Sequence, residues 1–61
     1  MNTSTYEVID PSHDDLIAFK EMRAVVERLD AHIYNVTVDD EETVDDLCDY
    51  LETRGLSYRL I

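Results

Sequence analysis

Leu16-Ile17-Ala18-Phe19-Lys20-Glu21-Met22-Arg23-Ala24-Val25-Val26-Glu27-Arg28-Leu29-Asp30 is the stretch on which the fold turns. Leu16, Phe19, Met22, Val26 and Leu29 recur at helical spacing, and Ile17, Ala18 and Val25 widen the stripe. Lys20, Glu21, Arg23, Glu27, Arg28 and Asp30 fall mostly on the opposite face. The pattern predicts a helix over residues 13–30. Just upstream, Ser12 stands as a helix N-cap with Asp15 three residues on, a capping-box-like arrangement. His13-Asp14-Asp15 then places negative charge in the first turn, where the helix dipole favours it.

Before this helix, Thr5-Tyr6-Glu7-Val8-Ile9-Asp10 alternates loosely and is rich in β-formers, so it reads as a strand that Pro11 ends. After it, Ala31–Val38 reads as a second strand. Tyr34, Val36 and Val38 share its more apolar face, the expected core face, and Ile33, Asn35 and Thr37 share the other. Asp39-Asp40-Glu41-Glu42 opens a second helix, with Asp39 as the expected cap and Glu42 at the third helical position. Val44, Leu47, Cys48 and Leu51 follow the i, i+3, i+4, i+7 pattern of a buried stripe. Gly55, the only glycine, sits where a helix takes a left-handed residue; with Arg54 as C-cap, Leu56 can pack back on Leu51. Ser57–Ile61 supplies a last strand with Tyr58 and Leu60 on one face.

The predicted order is strand–helix–strand–helix–strand in one domain over residues 1–61, without linker, repeat or low-complexity tract. The fold class is α/β, with α+β as the alternative: a two-layer βαβαβ unit, three strands, both helices on one face. Parallel strands joined by right-handed crossovers give the sheet order 1-2-3. A split arrangement, with another strand between the two that flank a helix, is the other topology. Either way one sheet face and an edge lack cover, with Ile9, Ile33 and Ile61 on the open face, and a homodimer is an expectation on those grounds.

Sixty-one residues carry fifteen carboxylates against five basic side chains, a formal charge of −10. That exceeds the roughly 2–8 units usual for a small domain. It opposes direct binding of DNA, RNA or anionic lipid, which need Lys and Arg to displace counterions. The 44% hydrophobic content is periodic, unlike that of a disordered chain. Met1–Tyr6 is polar and resembles no signal peptide, no run approaches the roughly 20 apolar residues of a membrane span, and a cytoplasmic location is expected. Cys48 stands alone, so no disulfide supports a core of this size, and oligomerisation or a bound partner gains weight.

Glu42, Asp45, Asp46, Asp49 and Glu52 lie three or four residues apart, on one side of the second helix and opposite its apolar stripe. No lysine in that helix relieves them. The ridge spans about 15 Å at ~1.5 Å per residue, over which one DNA strand carries about four or five phosphates. It is therefore either a solvated helix face or a phosphate-like surface fit for a basic groove. Asp39 and Asp40 extend it at the helix start, and Tyr50, off the apolar stripe, is a candidate anchor beside it, core or rim packing being the alternative. The same acids lack the pattern of a calcium loop, His13 and His32 have no zinc-spaced partners, and Cys48 reads as a small buried hydrophobe. No metal, cofactor, phosphate loop or nucleophile elbow is expected, and no enzyme.

In size, acidity and lack of motifs, the chain resembles the small proteins that phages and mobile elements direct against host defence, anti-CRISPR proteins and DNA mimics among them. The resemblance is one of general character and covers no stretch of residues. It implies an inhibitor, acting in the host cytoplasm if phage-encoded. Such an inhibitor would occupy the basic surface of a nucleic-acid-binding complex, a CRISPR-Cas effector being one case, by steric and electrostatic competition. Asp39, Asp40, Glu42, Asp45, Asp46, Asp49, Glu52 and Tyr50 are then the partner-binding residues. Two alternatives stand beside it. Nine Asp against six Glu and one Lys against four Arg suit a halophile's small homodimeric regulatory or structural domain. An antitoxin or adaptor binding one protein partner fits the uncovered edge.

Overall fold

A computed structural model describes residues 3–61 of the chain; Met1 and Asn2, part of the polar opening run, lie outside it. Six elements follow one another: β1 (Ser4–Ile9), α1 (His13–Glu21), β2 (Val25–Arg28), β3 (Ile33–Val38), α2 (Glu41–Arg54) and β4 (Ser57–Leu60). The sheet order is β2-β3-β1-β4, with every neighbouring pair antiparallel. The architecture is thus α+β with four strands. The expected three-stranded βαβαβ unit gives way to βαββαβ, the element order of the split βαβ or ferredoxin-like motif. The split topology is realised twice: β3 lies between the strands that flank α1, and β1 between those that flank α2.

The difference lies within the helix predicted over 13–30. Its start is as read: Ser12 is the N-cap, its N–H donates to Asp15 Oδ2 (2.9 Å), and the Asp15 N–H donates to Ser12 Oγ (3.2 Å). The helix ends at Glu21, nine residues on. Arg23 adopts a left-handed backbone (φ 65°), its N–H bonds to the Lys20 carbonyl (3.0 Å), and the Ala24 N–H reaches the Phe19 carbonyl (3.1 Å). This is the Schellman pattern with arginine in the place usually held by glycine. Val25-Val26-Glu27-Arg28 then leaves as a strand, a conformation that suits β-branched residues. It turns back through Leu29–His32, where the Leu29 N–H donates to the Ile33 carbonyl (2.9 Å), and β3 pairs with it antiparallel. Strand β3 therefore starts at Ile33 and not at Ala31.

α2 keeps most of its expected form. The cap is Asp40, one residue later than Asp39: Oδ1 accepts from the Thr43 N–H (2.7 Å) and Oδ2 from the Thr43 hydroxyl (2.8 Å). At the other end Gly55 is left-handed (φ 69°, ψ 27°), its N–H donates to the Glu52 carbonyl (3.1 Å), and the Leu56 N–H to the Leu51 carbonyl (2.9 Å). The Schellman ending read from the lone glycine is present, with Leu56 half-buried against the core.

One core joins both helices to one face of the sheet. Tyr6, Val8, Val36 and Val38 point into it from β1 and β3, Phe19 from α1, and Leu47 and Leu51 from α2. Val26, Tyr58, Leu16, Met22, Val44, Cys48 and Tyr50 close its margin. Val36 and Val38 lie on the expected core face of β3. Burying each of the larger side chains favours folding by about 1.5–3 kcal/mol, so Phe19, Leu47 and Leu51 carry much of a small core.

Candidate functional site: the acidic face of the second helix

The core stripe fixes how α2 sits. With Leu47 and Leu51 fully buried and Val44 and Cys48 half-buried, the far side of the helix must face outward. At ~100° per residue, Glu42, Asp45, Asp46, Asp49 and Glu52 fall within about 120° of one another on that side. All five are exposed, as are Asp39, Asp40 and Glu41 at the helix start. Residues 39–54 hold eight of the fifteen carboxylates and one of the five basic side chains. Glu41 belongs with the group as well, and the Asp39–Glu42 run is the sequence signal for it.

Little inside the protein engages these acids. Among the described residues the ion pairs are Arg54 with Asp15 (3.1 Å), Arg59 with Glu7 (3.1 Å) and His32 with Asp10 (3.2 Å), none of which involves the ridge. Glu52 accepts a hydrogen bond from the Tyr58 hydroxyl (3.0 Å), which pushes the Tyr58 phenol up from its usual value. Asp40 is committed to capping, and the Thr43 N–H and hydroxyl hold its carboxyl below the usual range. Asp45, Asp46 and Asp49 form the open centre of the ridge. Like charges at this spacing cost about 0.2–0.5 kcal/mol per pair, a cost the fold accepts here without a compensating cation.

Tyr50 stands apart from that group. It is half-buried, its ring meets Phe19 edge-on (5.8 Å between centroids, 76° between planes), and its hydroxyl donates to Asp15 Oδ1 (2.6 Å). Arg54 Nε donates to the same oxygen (3.1 Å). Tyr50 therefore ties α2 to α1 and is not a free anchor beside the ridge. Asp15 is buried at this junction. Burial would raise its carboxyl, but hydrogen bonds from Tyr50, Ser12 and Arg54 outweigh that and hold it at about 2. Its bond pushes the Tyr50 phenol up and raises the Arg54 guanidinium further.

The rest of the surface offers other chemistry less ground. His13 and His32 are exposed and well separated in the chain. Cys48 is a half-buried free thiol beside Tyr6, whose phenol it helps to push up. Among the described residues no three His, Cys, Asp or Glu side chains converge on a metal-sized site, and no helix is long and apolar enough to cross a membrane. Four-stranded sheets of this kind bind RNA where aromatic side chains on the open face stack bases. Here Tyr6, Tyr34 and Tyr58 all lie on the helix-covered side by register, so that platform is missing. Comparisons with protein-family models, with curated proteins and with solved structures gave no match.

Proposed function

We propose that this protein binds, through the ridge of α2, the basic nucleic-acid-binding surface of a host protein complex, and so excludes the nucleic acid. One observation carries the reading. Eight carboxylates along and just before one helix are exposed, and none of them is in an ion pair among the described residues. A charge row of this density suits a groove lined by Lys and Arg, in the manner of an anti-CRISPR protein or DNA mimic. Asp45, Asp46 and Asp49 form its centre, with Asp39, Asp40, Glu41, Glu42 and Glu52 around them. Such association is fast at low ionic strength and slows as salt screens the charges.

The test is competition. Tagged protein should capture a basic complex from host cells, and the purified complex should release bound nucleic acid when this protein is added. Substituting Asp45→Asn, Asp46→Asn and Asp49→Asn together should abolish the displacement. Undiminished displacement by the triple variant, or a complex that holds both ligands at once, would refute the ridge as the contact. Thermal unfolding from millimolar to molar KCl checks the halophilic alternative. Folding that requires molar salt makes the acidity a solvation device and removes the ground for an inhibitor.

A further inference from the structure

The sheet's other face is uncovered, and the strand registers arrange it in three rows across β2, β3, β1 and β4. The rows are Val25–Thr37–Thr5–Ile61, Glu27–Asn35–Glu7–Arg59 and Leu29–Ile33–Ile9–Ser57. Val25 (68% exposed), Ile61 (65%), Leu29 (51%) and Ile9 (37%) are four of the six large apolar side chains exposed among the described residues. The face holds only two of the fifteen carboxylates, and one of these, Glu7, is already paired with Arg59. In a molecule of charge −10, a second copy can approach this nearly balanced face against little repulsion.

We propose that two copies pack face to face here, related by a two-fold axis parallel to the strands. That axis exchanges left and right within each row and keeps the rows aligned. Glu27 of one copy then lies over Arg59 of the other, and Asn35 over Glu7. Val25 meets Ile61, Thr37 meets Thr5, and Ile33 meets Ile9. The other in-plane axis, across the strands, would stack Glu27 on Glu27 and Arg59 on Arg59, and charge rejects it. Asn35 fits the first arrangement: its Oδ1 is enclosed without a hydrogen-bond partner among the described residues, and as an uncharged amide opposite Glu7 of the second copy it can donate its NH2 to that carboxylate.

Aligned sheets of this kind pack about 10 Å apart and within about 30°. Four strands at ~4.8 Å and five residues at ~3.4 Å give a patch of about 19 by 17 Å, about 320 Å2 per copy and about 650 Å2 for the pair. That is below the ~1,200 Å2 at which stable complexes begin, so the dimer is a weak, reversible one that forms at high protein concentration. Because the helices lie on the outer sides, both acidic ridges stay open and the proposal stands apart from the ridge reading.

Sedimentation velocity over micromolar to millimolar protein, in salt sufficient to screen the net charge, reads the equilibrium directly. The wild type should pass reversibly from monomer to dimer. Glu27→Arg alone and Arg59→Glu alone should each weaken dimerisation about tenfold or more, with circular dichroism confirming the fold. An equimolar mixture of the two variants should recover it, because each facing pair is then of opposite charge. Val25→Lys, at an exposed position that carries no charge, should weaken it as well. The triple Asp45→Asn, Asp46→Asn, Asp49→Asn variant should dimerise like the wild type. A monomer at every concentration, a dimer indifferent to Glu27→Arg, or a mixture that fails to reconstitute would each overturn the proposal.

Discussion

Asp15 closes the capping box of α1 and accepts hydrogen bonds from Tyr50 and Arg54 of α2, so one carboxylate sets both a helix start and a helix–helix contact. Held at about 2 when folded, against 3.8 ordinarily, it binds fewer protons in the folded chain than in the unfolded one. Its contribution is complete above the ordinary value and is lost as pH falls towards 2, about 2 kcal/mol in all. Asp15→Ala should lower stability at pH 7 by about 2–4 kcal/mol, and its urea midpoint should depend less on pH between 4 and 2 than that of the wild type. Half of this residue's role was legible. Ser12 and Asp15 stand at capping-box spacing, whereas Tyr50 and Arg54 lie 35 and 39 positions away. Nothing local in a sequence marks that distance.

The two helices end with the same hydrogen-bond pattern and different residues. Gly55 announces the end of α2, and that end was read correctly; Arg23 takes the same left-handed backbone without any letter to show it. Val25-Val26-Glu27-Arg28 also fits two periods, continuing the helical stripe while alternating about an inward Val26. Read with the longer period alone, the segment makes one helix too long and hides β2, the fourth strand, while the split order stands only as the alternative topology. The paired variants follow. Arg23→Gly should raise stability by about 0.5–1 kcal/mol, and Gly55→Ala should lower it by about 1–2 kcal/mol, both measured by urea denaturation. A Cβ at Gly55 would meet nothing within 4 Å, so the loss would come from backbone conformation alone. The acidic face of α2 was legible because it needs only helical spacing, while the place of Tyr50 depended on where α1 lies.

Across the whole molecule the charge is uneven: the acids crowd one helix, and the far side of the sheet is nearly balanced. The sheet order also places β1 in the interior, between β3 and β4, with Tyr6 opposite both Val36 and Leu60. The first strand described is thus finished only by the last. Contacts that join residues more than fifty positions apart close large loops before they return any energy, and such topologies fold in milliseconds or slower. Stopped-flow refolding should show a single slow phase, and a chain cut before Ser57 should lack a cooperative urea transition. During folding the edges of Tyr6 and Val8 therefore stay half-partnered until Tyr58 and Leu60 pair with them. A copy caught at that stage holds an open apolar strand, and the charge of −10 on each chain opposes the approach of another until the sheet is whole.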